Sequence, residues 1–247
     1  MLPENSRPLK IALVAGETSG DALGASLIDA LHQGVSNQNA LSLVGVGGEG
    51  MVARGLPSLF PQSEIAVMGV LPVIRRLPIL LRRISDTARH IAAETPDCLV
   101  TIDSPDFCLR VARKVRALDP SIPIIHWVCP SVWAWRPGRA RRMRPHVDKV
   151  MCLLPFEPGE LHDLGGPEGV YVGHPLIERL MELRPGSDDL DDRQSQTSPL
   201  VLILPGSRGT ETGRLLAVFG ETVARISASL PGARFVLPAV QIGRAHV

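Results

Sequence analysis

The chain has 247 residues, 45% hydrophobic and 21% charged, and 26 basic against 25 acidic side chains leave a formal net charge of +1. That balance excludes a highly charged disordered chain and removes any global electrostatic case for nucleic-acid binding. Aromatics at 4% make the core aliphatic, and the 23 glycines and 22 prolines punctuate rather than repeat, which excludes collagen-like and low-complexity sequence.

The polar stretch Met1 to Lys10 does not read as a signal peptide. Lys10 to Gly16 is an apolar run ending in glycine, a buried strand, and Thr18-Ser19 can cap a helix to about His32. Leu41 to Val46 is a second strand, leading into Gly45-Val-Gly-Gly-Glu-Gly50. Val67 to Ile84 interleaves large aliphatics with Arg75, Arg76, Arg82 and Arg83, and Pro72 and Pro78 are expected to cut it into short helical pieces. Cys98 to Ile102 is a strand, Pro105 to Leu118 a helix, Pro123 to Val128 and Lys149 to Leu154 strands. Pro155-Phe-Glu157 opens a short helix, and Val170 to Val172 is a brief strand. Strands that are apolar throughout and alternate with helices indicate an α/β fold with a parallel sheet covered on both faces.

At Arg184 to Pro199 apolar periodicity stops and acids, Gly and Ser take over, as in a linker. Leu200 to Leu204 restarts the pattern and ends in Pro205-Gly-Ser-Arg-Gly209; a helix from about Thr210 to Leu230 and a strand from Ala233 follow. The expected organisation is a domain over 8–183, a linker over 184–199, and the start of a second domain over 200–240. Residues 241–247 match the translation of a sequencing adapter and are excluded from the fold.

The chemistry-bearing residues fall in the turns after strands. Gly16-Glu-Thr-Ser-Gly-Asp21 sets a hydroxyl at a helix N-terminus, where free N–H groups can hold an anion or a sugar hydroxyl; a tight turn explains it equally. This loop is not G-x-G-x-x-G; residues 45–50 superficially resemble that dinucleotide fingerprint, but a lone glycine pattern is weak evidence and a tight strand-to-helix turn explains it equally. Asp103 follows the Cys98–Ile102 strand, at the sheet edge where α/β proteins bind ligands, and is either a general base or a helix-capping carboxylate. In Pro130-Ser-Val-Trp-Ala-Trp-Arg136, the tryptophans and Arg136 suit a sugar or lipid contact, or simply core packing. Ser207 and Arg208 suit a phosphate, or a plain turn. Residues 66–150 carry fifteen basic against seven acidic side chains. With the apolar face of 67–84 this suits an anionic membrane surface, or an amphipathic helix packed on the sheet. No stacking platform supports nucleic acid. The longest uncharged run, Pro120 to Trp135, is too short and broken to span a bilayer. The four cysteines form no C-x-x-C pair and read as buried reduced thiols.

Together, Ala15-Gly-Glu-Thr-Ser-Gly-Asp21, Glu64-Ile-Ala-Val-Met-Gly69, Ile102-Asp-Ser-Pro-Asp-Phe107, Pro130-Ser-Val-Trp-Ala-Trp-Arg136, Leu154-Pro-Phe-Glu157, Val172-Gly-His174 and Leu204-Pro-Gly-Ser-Arg-Gly209 resemble the lipid-A-disaccharide synthase family over about residues 8 to 240. The resemblance implies a GT-B glycosyltransferase: a Rossmann-like first domain and the start of a second. It implies a UDP-diacylglucosamine donor, a diacylglucosamine 1-phosphate acceptor, and a peripheral place on the cytoplasmic face of the bacterial inner membrane. Asp103 matches the family's essential aspartate and Arg208 its LPGSR arginine. Val67, Met68, Val70, Leu71, Ile74, Leu77, Leu80 and Leu81 fall in the family's apolar surface. Glu17, Ser19, Ser131, Trp133, Arg136, Ser207 and Arg208 are taken as substrate-binding. The family's nucleotide-binding segments lie mostly beyond residue 247.

The implied transfer inverts the donor sugar, so a base must take the acceptor hydroxyl proton, and Asp103 is the candidate, with His126 and His174 as alternatives. No D-x-D pair sits on a suitable loop, so neither a metal nor a cofactor is expected. Another GT-B UDP-sugar transferase, a non-catalytic lipid-binding fragment and, less well matched, a Rossmann oxidoreductase are the alternatives.

Overall fold

The computed structural model describes residues 7–35, 40–65, 70–177, 180, 184–186, 188, 190–191, 193, 198–206 and 209–238, with the side chains of 70–76, 209 and 210 left undescribed. The chain forms two compact units, Met1–Glu178 and Arg179–Val247.

The first unit alternates strand and helix: β1 (Leu9–Ala15), α1 (Thr18–Gly34), β2 (Leu41–Val46), α2 (Glu49–Val52), α3 (Val70–Glu94), β3 (Cys98–Ile102), α4 (Pro105–Leu118), β4 (Ile124–Trp127), α5 (Gly138–Met143), β5 (Lys149–Cys152), α6 (Glu157–Asp163) and β6 (Glu168–Tyr171). The six strands form one sheet in the order β2-β1-β3-β4-β5-β6, every pair parallel. Side chains alternate between its two faces. Ile11, Leu13 and Ile102 pack against Ile28 of α1 and Met51 of α2, while Ala12, Val14 and Leu99 pack against Ile84, Ala88 and Ile91 of α3 and Val111 and Val115 of α4. Burial on both faces is why these strands read as unbroken apolar runs.

Two local expectations are corrected. The N-cap of α1 is Glu17, with Thr18 as its first residue and no side-chain cap bond, so Thr18-Ser19 does not cap it. The prolines do not cut the 67–84 stretch: α3 is one 25-residue helix from Val70 to Glu94, with Pro78 inside. Pro72 falls in the first turn, where a missing N–H costs nothing, and the helix tolerates Pro78 because Ile84, Ala88 and Ile91 bury a full apolar stripe beyond it. No helix among the described residues is long and apolar enough to cross a membrane.

The second unit holds β7 (Leu200–Leu202), α7 (Gly209–Ser229) and β8 (Arg234–Val236), with β7 and β8 paired in parallel. Among the described residues, Leu200, Leu202, Leu204, Val218 and Leu237 are each more than half exposed.

Candidate functional site

The chain runs from β1 outward to β2 and then returns to the other side of β1 to lay down β3. The carboxyl ends of β1 and β3 therefore diverge at the topological switch point, where an open α/β sheet leaves a crevice. Gly16, Glu17 and Ser19 follow β1 there, and Asp103 and Ser104 follow β3.

Asp103 and Ser104 both have positive φ, 52° and 41°. Two consecutive non-glycine residues in the left-handed region cost about 1–3 kcal/mol each, and such positions concentrate at functional sites. Here the turn lifts the Asp103 carboxylate off the strand, while its N–H still donates to the Trp127 carbonyl at 2.9 Å. The Ser19 hydroxyl donates to Asp103 Oδ2 at 2.9 Å, tying the first turn of α1 to the end of β3. Asp103 is not the cap of α4; that position belongs to Ser104, which makes no side-chain cap bond. The helix-capping reading of Asp103 therefore does not hold, and its described side-chain bond is the one to Ser19. Ser104 is buried and, among the described residues, its Oγ has no hydrogen-bond partner. Gly16 must be glycine, because a Cβ would lie 2.8 Å from Ser104 Cβ.

Beside this turn lies a cavity of about 400 Å³. Leu77, Leu80, Leu81 and Ile84 of α3 form its apolar wall; Gly16, Glu17, Ser104, Asp106, Arg110 and Arg136 form the polar one. Leu77 and Leu81 are 42% and 44% exposed, whereas Leu80 is half-buried against the core. The remaining arginines of α3 with described side chains are less free than the sequence suggests. Arg83 donates to Glu64 Oε2 at 2.7 Å and lies 4.7 Å from the Phe60 ring centroid; Arg82 and Arg89 both pair with Asp86.

Other predicted residues separate into structural and surface roles. Trp133 packs edge-on against Phe156, ring centroids 5.0 Å apart, as the core reading has it. Ser131 is exposed, lies outside the cavity lining, and its carbonyl accepts from the N–H groups of Ala134 and Trp135. Trp135 is 66% exposed with the Arg136 guanidinium 4.5 Å from its ring centroid. His126 is fully buried, its Nδ1 2.8 Å from Thr101 Oγ1, and burial followed by the nearby Arg139 pushes its pKa down to about 3. It is therefore a neutral core residue and not a base at the crevice. His174 is exposed, and its Nδ1 accepts from the Leu176 N–H at 3.1 Å. Val67, Met68, Ser207, Arg208 and residues 241–247 lie outside the described residues; Val70, Leu71 and Ile74 lie on α3, with side chains outside the description.

Sequence reading missed two carboxylates with structural work. Asp21, buried, accepts from the N–H groups of Gly48, Gly50 and Met51 at 2.8, 2.9 and 3.0 Å, so the glycine-rich loop spends its donors on Asp21 and not on a ligand. Glu157 accepts from Leu153 and Leu154 N–H at 2.8 and 3.0 Å. It also joins Cys129 and Cys152 in a buried cluster whose ligand atoms lie within 4.8 Å of one another. All four cysteines are free; Cys98 is partly buried, and desolvation pushes its thiol up to about 11, which disfavours the reactive thiolate there.

The family model for Lipid-A-disaccharide synthetase matches residues 11–246. A lipid-A-disaccharide synthase of Rhodopseudomonas palustris strain HaA2 is 49% identical over 231 residues, which are 94% of this chain and 58% of that protein. That of Rhodospirillum centenum is 40% identical over 95% of this chain and 58% of its own length. The chain thus spans somewhat over half the length of the curated relatives it matches. Among solved structures, a UDP-GlcNAc 2-epimerase from Neisseria meningitidis superposes with a TM-score of 0.63 at 15% identity, covering 94% of this chain and 66% of that one. The glycotransferase of kitacinnamycin gives 0.52 at 18% identity, covering 97% and 67%. These likenesses give the fold, Rossmann-like units of the GT-B class.

Proposed function

Because the chain belongs to the lipid-A-disaccharide synthetase family, we propose that it is the acceptor-side portion of an inverting glycosyltransferase. In this reading the full-length protein transfers diacylglucosamine from UDP to diacylglucosamine 1-phosphate, with Asp103 as the base. The observation that carries the reading is the left-handed pair Asp103-Ser104 at the β1–β3 switch point, its carboxylate held by Ser19.

In the proposed mechanism the acceptor lies with acyl chain along Leu77, Leu80, Leu81 and Ile84 and its sugar toward Gly16 and Ser104. Ser104 Oγ, buried and without a partner among the described residues, is available to a substrate hydroxyl or carbonyl. Asp103 takes the proton of the attacking hydroxyl as the new bond forms on the face opposite UDP, and the departing diphosphate carries the negative charge away. Glu17 lines the same crevice and orients the acceptor sugar. Ser131, Trp133, Ser207 and Arg208 are retained only as proposed substrate contacts; the packing of Trp133 favours a supporting part. Apolar side chains on α3 beside an arginine-rich face give the protein a peripheral place on an anionic membrane surface, which for this family reading is the inner face of the inner membrane.

The test is UDP release by the chain carried at the full length of its relatives. Release is expected only when donor and acceptor lipids are both present. Equal release with donor alone would mark a hydrolase, and none with any glucosamine-based acceptor would overturn the transferase reading.

A further inference from the structure

Two thiols and a carboxylate meet at the carboxyl ends of β4 and β5, and none of the three lines the cavity beside Asp103. Cys129 follows β4, Cys152 is the last residue of β5, and Glu157 is the first of α6. The chain leaves β4 through Val128, whose φ is 76°. That conformation strains a β-branched residue, and the Val128 N–H still donates to the Met151 carbonyl at 3.1 Å. The chain thus turns while tied to β5, and Cys129 comes alongside Cys152. On β6, a Cβ at Gly169 would stand 3.2 Å from Cys152 Sγ and 2.8 Å from Pro158 Cα, so glycine leaves this space to the thiol.

Burial of a thiol means little by itself. Cys108 is fully buried too, in the apolar core, with its Sγ 3.5 Å from the Val14 and Ile102 carbonyls. Cys129 and Cys152 differ in facing each other and a third group able to ligate. The two Sγ atoms and a Glu157 oxygen lie within 4.8 Å of one another, and the residues are 4%, 0% and 3% exposed. A tetrahedral ion, with bonds of about 2.3 Å to sulfur and about 2.1 Å to oxygen, sets its ligand atoms about 3.5–3.8 Å apart. Closing this triangle on an ion therefore asks about 1 Å of side-chain movement. Both hydrogen bonds to Glu157 fall on Oε2, and among the described residues Oε1 has no donor. A buried carboxylate with one oxygen unengaged is costly, and a cation on that oxygen removes the cost.

Mg²⁺ and Ca²⁺ take oxygen ligands, and iron–sulfur clusters call for four cysteines. Two thiolates with one carboxylate suit a borderline divalent ion. We propose that Cys129, Cys152 and Glu157 form a structural site for one divalent cation of the Zn²⁺ type, fastening β4, β5 and α6 together. The Pro130 carbonyl, 3.4 Å from Cys129 Sγ, stands beside the site to take the fourth position. Each thiol releases its proton to solvent as it becomes a ligand. The net negative charge of the loaded cluster faces the Leu153 and Leu154 N–H groups. The ion tethers the segment 130–136, which packs Trp133 against Phe156 and brings Arg136 to the cavity. It takes no part in the transfer itself, so the proposal stands or falls apart from the transferase reading.

The experiment unfolds the 247-residue chain, reduces it with a phosphine, strips it with a chelator and refolds it with Co²⁺ or Zn²⁺. One Co²⁺ per chain is expected, with a thiolate-to-cobalt charge-transfer band that one equivalent of Zn²⁺ abolishes and Mg²⁺ leaves unchanged. The Zn²⁺-loaded chain should melt higher than the stripped one. Cys129→Ser and Cys152→Ser should each weaken Co²⁺ ~100-fold or more, and Glu157→Gln ~10-fold or more. Glutamine keeps an oxygen for the Leu153 and Leu154 N–H groups, so this variant reports on the site even where a serine variant fails to refold. Cys98→Ser, outside the cluster, should bind as wild type does. A wild-type chain that refolds without the charge-transfer band would overturn the proposal. Co²⁺ held equally by the wild type and the Glu157→Gln and Cys152→Ser variants would overturn it as well, marking adventitious ligands elsewhere. So would a Cys129–Cys152 disulfide in the air-purified chain whose reduced form refuses the metal.

Discussion

At the scale of residues, the site rests on one hydrogen bond and one pair of backbone angles. Ser19 holds the Asp103 carboxylate across the switch point without touching the reacting atoms in the proposed pose, so it is a positioning residue. Ser19→Ala is expected to lower kcat by ~5–10-fold with little change in KM, the loss of about 1–1.5 kcal/mol of orientation, and Ser19→Thr to recover most of it. A KM effect alone would place Ser19 in substrate binding. Asp21 lies in the same signature stretch but belongs to stability. Asp21→Ala leaves three α2 N–H groups unpaired and should cost about 2–4 kcal/mol in urea unfolding, while Ser19→Ala should cost almost none. His126 gives the fold a pH signature. Below pH 6.5 the unfolded chain takes up a proton here that the folded chain refuses until about pH 3, so stability falls as pH drops through that window. The difference in Tm between the wild type and His126→Gln should therefore shrink from pH 7 to about 4. A difference that stays constant would mean that His126 takes up its proton over the same pH range in the folded protein as in the unfolded chain. The sequence showed Asp103 because its strand ends plainly at Ile102. It hid Asp21 because what a carboxylate caps depends on backbone brought near by the fold, and Gly48 lies 27 positions from Asp21; Glu157, three and four residues from the N–H groups that it accepts from, was local and was passed over.

Among the elements, β1 to β8 stand within a residue or two of where apolar runs place them; for the inner strands this is because burial on both faces writes a strand's whole length into composition, whereas β6, β7 and β8 keep short apolar runs although their side chains are largely exposed. α3 was misread for the opposite reason. Proline is a local signal, and the stripe that outweighs it begins at Ile84, the last residue of the stretch, and continues past it through Ala88 and Ile91. The corrected helix separates two kinds of apolar residue. Ile84→Ala should cost about 2–4 kcal/mol, because its side chain is buried between helix and sheet. Leu77→Ser and Leu81→Ser, at exposed positions, should each cost under about 1 kcal/mol and instead weaken binding of a single-chain detergent such as octyl glucoside in the cavity. If either serine variant loses several kcal/mol of stability while the folded variant binds detergent as tightly as wild type, the cavity wall is core and not a lipid site.

For the whole molecule, the contrast between the units matters most. The first buries Leu13, Ile28, Ile91 and Leu99 completely; the second, among its described residues, leaves β7, α7 and β8 with apolar side chains in the open. A chain carried to the length of its relatives is expected to bind less hydrophobic dye per molecule than the 247-residue chain, through cover of Leu200, Leu202 and Leu204. Donor binding in this account depends on Ser207, Arg208 and sequence beyond residue 247, whereas the base and the acceptor site belong to the first unit. Its central claim is that Asp103 removes the acceptor proton. The most direct test is turnover by Asp103→Asn in the full-length protein, with both lipid substrates at saturation and the melting temperature followed in parallel. The account predicts a kcat lowered ~10²–10⁴-fold with an unchanged melting curve, since shape is kept and a base is lost; turnover within about threefold of wild type would contradict it.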